Sequence, residues 1–155
     1  MGLIYLDACL LIYVVESDPV FGEPMQALFA KRGSSQLAVS SLTRMECLVK
    51  PMARADHALQ QRYALALNEL VQLPMPDQVF EQATRLRAQF GLRTPDALHL
   101  ACALVHGCDE LWTNDDRMVR AGQGLALNVL GQLGRRGTAR KTVVARSTKR
   151  PPASR

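Results

Sequence analysis

Short all-apolar runs alternate along this chain with longer runs whose apolar residues recur every three or four positions, a pattern that predicts strands interleaved with helices. Leu3–Leu6 is apolar throughout, as a strand buried on both faces requires, and Asp7 ends it. The ACLLIYVVES stretch that follows is too long for a second strand and predicts a buried helix up to Asp18-Pro19. Residues 24–32 predict a helix stopped at Gly33, and Gln36–Ser40 a second strand. Ser40 or Ser41 is placed to cap a helix with Leu42, Met45 and Leu48 or Val49 on one face, which Pro51 kinks or ends. Residues 57–70 predict a further helix, Val71–Leu73 a short strand, and Asp77–Phe90 an amphipathic helix closed by Gly91. Thr94, Pro95 and Asp96 read as N-cap, N1 and N2 of a helix running to His106 and stopping at Gly107. Glu110–Thr113 and residues 127–130 supply the last two strands. Strands alternating with helices imply an α/β fold, a short central parallel sheet with helices on both faces.

Ligands of such sheets bind beyond the carboxyl ends of the strands. Asp7 and Asp115 stand at two such ends, while Glu46 and Asp96 sit on helices able to lean over the same edge. Two carboxylates about 5 Å apart repel by roughly 3 kcal/mol at an effective dielectric near 20, and four multiply the pairs. Either some are protonated or a cation sits among them. Oxygen-only ligands of this kind suit Mg²⁺ or Mn²⁺, which keep waters and bind substrate phosphates. That is a hydrolase's arrangement.

At 155 residues the chain is about one domain long, enough to bury roughly 70% of the surface its unfolded form exposes. No apolar run reaches the length of about 18 residues that a membrane span needs, and the start has no basic region ahead of its apolar stretch, so a cytosolic protein is expected. Cys9, Cys47, Cys102 and Cys108 form no C-x-x-C pair and read as reduced thiols. Charge divides the chain in two. From Arg135 to Arg155 there are 8 Lys/Arg and no acid, so residues 1–134 carry 11 bases against 14 acids, net −3. The expected organisation is a folded domain over residues 1–132 and a basic, disordered tail over 133–155, which either grips phosphate backbones or is a solvated terminus.

The strand LIYLDACLLIY with Asp7, the segment SSLTRMECL with Glu46, the helix TPDALHLACAL with Asp96, and LWTND with Asp115 resemble the four acidic motifs of PIN-domain ribonucleases. Among these, the chain is most similar to VapC-type toxins of bacterial toxin–antitoxin pairs, over residues 3–130. Any one motif is weak, but all four in order, with DALHLA and TND intact, are specific. The resemblance implies a three-layer PIN-like fold that cleaves RNA with Mg²⁺ or Mn²⁺, Asp7, Glu46, Asp96 and Asp115 being the metal-binding acids. It further implies that Thr113 is the hydroxyl residue beside the last acid and that Ser41 or Thr43 assists through hydrogen bonds. Asp116 is either an additional acid of the site or the first turn of the next helix, the latter preferred. A cognate antitoxin covering the site and a homodimer are the implied partners.

Taken singly, each acid has an ordinary structural reading: a turn for Asp7, a solvated helix position for Glu46, caps for Asp96 and Asp115. Their joint placement reverses that preference. His99, within ALHLACAL, reads as packed or hydrogen-bonded rather than metal-bound, and His57 and His106 lack zinc spacing. Trp112 reads as core or, if exposed, as a base-stacking surface. A haloacid-dehalogenase-like phosphatase needs a second Asp two positions after the first, and Asp7-Ala8-Cys9 lacks it. The remaining rival is a non-catalytic PIN-like module that binds RNA or protein.

Overall fold

The computed structural model describes residues 1–131; the predicted basic tail lies outside the described residues. Five strands, β1 (Leu3–Leu6), β2 (Gln36–Ser40), β3 (Val71–Leu73), β4 (Glu110–Thr113) and β5 (Ala126–Asn128), form one sheet in the order β3-β2-β1-β4-β5. Every pairing is parallel. Among the described residues, seven helices fill the connections between strands: α1 (Ala8–Val15), α2 (Gly22–Ala30), α3 (Ser41–Ala53), α4 (His57–Asn68), α5 (Asp77–Phe90), α6 (Thr94–Val105) and α7 (Asp116–Ala121).

Because side chains alternate across a strand, β1 sends Ile4 and Leu6 to one face and Tyr5 to the other. Ile4 and Leu6 join Leu10, Met25, Val39, Tyr63, Leu67 and Trp112 in one core, under helices α1, α2 and α4. Tyr5 and Leu111 join Val79, Leu86, Leu100 and Met118 in the other, under α5, α6 and α7. The three layers predicted from the alternation of runs are present. The chain winds outward from β1 through β2 to β3, then returns to the opposite side of β1 with β4 and β5. Its direction reverses between β1 and β4, and a crevice opens beyond their carboxyl ends. Asp7 and Asn114 are the first residues past those two strands.

Several boundaries differ from expectation. Helix α2 begins at Gly22, because the Asp18 carboxylate accepts from the backbone of Val20 and Phe21 and turns the chain earlier. Helix α3 passes through Pro51 to Ala53. So near the helix end, the missing N–H costs a single bond. Helix α6 is capped one residue earlier than predicted, with Arg93 at N-cap and Asp96 at the third helical position. The last strand is Ala126–Asn128 rather than 127–130, since Asn128 Oδ1 accepts from Gly131 N at 2.8 Å and bends the chain out of the sheet.

Candidate active site

Asp7 has the extended backbone of an N-cap for α1, but its carboxylate makes no capping bond. It accepts instead from Thr113 Oγ1 at 2.7 Å. Thr113 is fully buried, and the same oxygen accepts from Asp115 N at 3.0 Å. One hydroxyl at the end of β4 therefore ties together two of the predicted acids. Asp115 does cap its helix, accepting from Arg117 N at 2.7 Å.

Glu46 projects from α3, whose Leu42, Cys47 and Pro51 are buried. Its Oε2 lies 2.6 Å from His99 Nε2, and that nitrogen is also 3.9 Å from Asp7 Oδ1. The two carboxylates thus flank one imidazole. His99 is 1% exposed, and its Nδ1 meets the Tyr5 hydroxyl at 2.9 Å, which meets Ser40 Oγ at 2.7 Å. Burial pushes the Tyr5 phenol far above its ordinary range, so it stays an O–H group.

Asp96 occupies the first turn of α6, and its Oδ2 accepts from Arg93 Nε at 2.9 Å. Arg93 also comes within 3.8 Å of Asp115 Oδ2, while Arg117 reaches the same atom at 3.1 Å. Burial pushes the Asp115 carboxyl up, but hydrogen bonds from the Arg117 side chain and backbone, with the charges of Arg117 and Arg93, outweigh it and hold the group below the usual carboxylate range.

All four predicted acids, Asp7, Glu46, Asp96 and Asp115, line one cleft of about 260 Å³ with Arg93, Cys9 and Asn114. Their side chains are 15%, 29%, 15% and 18% exposed, recessed but open to solvent. The other predicted residues divide. Thr113 donates to the Asp7 carboxylate. Thr43 is buried at the start of α3, where its Oγ1 accepts from Ser40 N at 3.4 Å and serves the helix cap. Ser41 is exposed and, like Thr43, does not line the cleft. Asp116 opens α7 and accepts from Asn128 Nδ2 at 2.7 Å, so it belongs to the helix turn. Sequence reasoning missed Arg93, although its i,i+3 spacing to Asp96 was a signal, and Asn114, which accepts from Cys9 Sγ at 3.2 Å and donates to Tyr13 at 2.8 Å.

Does the donor set suit a divalent ion? Among the described residues no three Asp, Glu, His or Cys side chains close into a coordinating group. Two guanidiniums instead spread over Asp96 and Asp115, neutralising part of the charge that a cation would neutralise. Four carboxylates with no sulfur among them, recessed in a solvent-open cleft, are the donor chemistry of Mg²⁺ or Mn²⁺. The fit is chemical. The four cysteines are free, and three are buried. Burial lifts the Cys47 thiol to about 12, which keeps it protonated and out of metal or redox chemistry.

Residues 4–124 match the model of the PIN domain family. No curated protein matches the chain. Among solved structures, the chain is similar to a chain of a toxin–antitoxin complex from Klebsiella pneumoniae, at 28% identity and a TM-score of 0.65, covering 81% of this chain and 96% of that one. It shares the fold of VapBC2 from Rickettsia felis bound to a promoter DNA fragment, at 17% identity and a TM-score of 0.67, covering 81% and 97%. It also shares the fold of VapC20 from Mycobacterium tuberculosis, a sarcin-ricin loop cleaving toxin, at 15% identity and a TM-score of 0.66, covering 77% and 95%. With the sheet order, the four acids at one sheet edge and the family match over most of its length, the chain belongs to the PIN domain family.

Proposed function

We propose that this PIN domain is a metal-dependent endoribonuclease, the toxin of a toxin–antitoxin pair that inhibits translation and growth by cutting RNA. One observation carries the reading: four carboxylates from four separate elements meet in a single cleft at the point where the strand order reverses. Asp7, Glu46, Asp96 and Asp115 are the residues that would hold Mg²⁺ or Mn²⁺. Such an ion supplies a water of lowered pKa and charge stabilisation on the leaving oxygen of a phosphodiester. Thr113 holds Asp7 in place, and Arg93 and Arg117, with side chains 66% and 53% exposed, offer planar donor forks to RNA phosphates.

The toxin assignment is supported by similarity to a toxin–antitoxin complex and to toxins of the VapC type. An antitoxin protein is the expected partner. A homodimer is supported by Met45, Val49 and Met52, an exposed apolar stripe on α3 with each residue more than half exposed. No helix among the described residues is long and apolar enough to cross a membrane, and a cytoplasmic site of action fits this reading.

A second reading, a non-catalytic module for RNA or protein, draws on the two arginines that satisfy Asp96 and Asp115 internally. Turnover separates the two. Purified protein is incubated with a small-RNA pool in Mg²⁺ or Mn²⁺, in EDTA, and in parallel with Asp96→Asn. Discrete products requiring both metal and Asp96 support the nuclease. Equal activity of wild type and mutant contradicts it.

A further inference from the structure

A line of buried polar groups stands behind the cleft, outside the set of acids. Ser40, Tyr5 and His99 are buried to 1% exposure or less, and their side chains form one line: Ser40 Oγ to Tyr5 hydroxyl at 2.7 Å, Tyr5 hydroxyl to His99 Nδ1 at 2.9 Å, His99 Nε2 to Glu46 Oε2 at 2.6 Å. The line starts at the end of β2, crosses β1 and α6, and ends on α3 at the one member that faces solvent. A carboxylate accepts, so Nε2 carries a proton in either state of the ring. The Tyr5 hydroxyl keeps the opposite nitrogen occupied and holds the ring from turning.

We propose that His99 is the positioning residue for Glu46: it anchors Oε2 and leaves Oε1 facing the cleft for a divalent cation. Resting on the nuclease reading, this assigns a role to a histidine that neither binds the cation nor touches RNA. Among the described residues Oε1 takes no hydrogen bond, while Oε2 is held. Glu46 needs such an anchor more than the other acids do. Asp7, Asp96 and Asp115 stand on short side chains at strand or helix ends, whereas Glu46 lies mid-helix with an extra rotatable bond. Partners that orient metal-ligating carboxylates this way are typically worth about 10- to 100-fold in metal affinity.

A merely structural histidine gives a different pattern, and two substitutions separate the cases. The amide nitrogen of glutamine reaches roughly where Nε2 sits, and that of asparagine roughly where Nδ1 sits. His99→Gln therefore keeps the donor to Glu46, and His99→Asn keeps only the contact with Tyr5. Mn²⁺ affinity is measured by electron paramagnetic resonance on wild type, both variants and Asp7→Asn, with thermal unfolding in metal-free buffer alongside. His99→Asn should bind Mn²⁺ about 10- to 100-fold more weakly while His99→Gln stays within about threefold of wild type, and excess Mn²⁺ should restore cleavage by His99→Asn. Wild-type affinity in His99→Asn, or equal loss in both variants, overturns the proposal. If wild type cleaves RNA with metal while His99→Asn binds Mn²⁺ normally, the role of His99 falls and the nuclease reading stands. If Asp7→Asn binds Mn²⁺ as wild type does, both fall.

Discussion

The two walls of the cleft are built from the same residue type and held by opposite means. On one wall, Asp7 and Glu46 accept from Thr113 and His99, partners that are 0% and 1% exposed. On the other, Asp96 and Asp115 face Arg93 and Arg117, whose side chains are more than half exposed. Hydrogen bonds from buried groups fix geometry, because breaking one leaves a buried donor or acceptor unmet, at about 1–3 kcal/mol. Ion pairs with solvated arginines are screened by water, exchangeable, and add little rigidity. The first wall is prearranged. The second is neutralised by charges that can leave when a cation or a phosphate offers a better partner.

The largest effect expected is on chemistry, and it treats the walls alike. Asp7→Asn and Asp96→Asn should each lower kcat/KM for RNA by at least about 1,000-fold, roughly 4 kcal/mol of transition-state stabilisation, with an unchanged circular dichroism spectrum. Wild-type rates in a folded Asp96→Asn protein would remove the second wall from the site. Stability should then separate the buried hydrogen bonds from the exposed ion pairs. Thr113→Val strips Asp7 of its donor and the Asp115 N–H of its acceptor, and should cost about 1–3 kcal/mol in urea unfolding. Arg93→Gln should change stability by less than about 1 kcal/mol yet tighten Mn²⁺ binding, because one competing cation is gone. Weaker Mn²⁺ binding in Arg93→Gln would show that the guanidinium supports the site instead of occupying it.

The smallest effect is on protonation. The Asp115 carboxyl is depressed in the folded protein, so the stability it contributes is present above its unfolded value and lost as pH falls through the folded one. Arg117→Ala should move that carboxyl back toward the ordinary range, followed by NMR titration of its side-chain carbon, and should narrow the acid side of the stability profile. An unmoved titration would assign the depression to Arg93 and the helix N-terminus.

How much of this was legible beforehand follows from sequence separation. Strands Gln36–Ser40, Val71–Leu73 and Glu110–Thr113 were readable to the residue, since their few apolar residues, Leu37–Val39, Val71 with Leu73, and Leu111–Trp112, stand between helices whose ends are readable. The end of β5 was not, because Asn128 decides it through its side chain, and Leu130 is apolar and buried whether or not it is in a strand. The start of α6 was misplaced by one residue, since Thr94 has the composition of a cap and Arg93 does not, while the backbone at Arg93 is the one that is extended. Asp7, Asp96 and Asp115 were legible because each sits beside a run whose end is readable, whereas Glu46, mid-helix, was carried by its motif alone. Their partners mostly were not. His99 meets Glu46 across 53 residues, and Thr113 meets Asp7 across 106. Local pattern showed the hydroxyl and the imidazole, and only the reversal of strand order between β1 and β4 brings them to those carboxylates.

The central claim is that both walls serve metal binding. Its most direct test is Mn²⁺ titration of wild type, Asp7→Asn and Asp96→Asn by electron paramagnetic resonance. The account predicts Mn²⁺ binding in wild type that either substitution weakens at least about tenfold. Binding that responds to neither substitution, or to one wall alone, would contradict it.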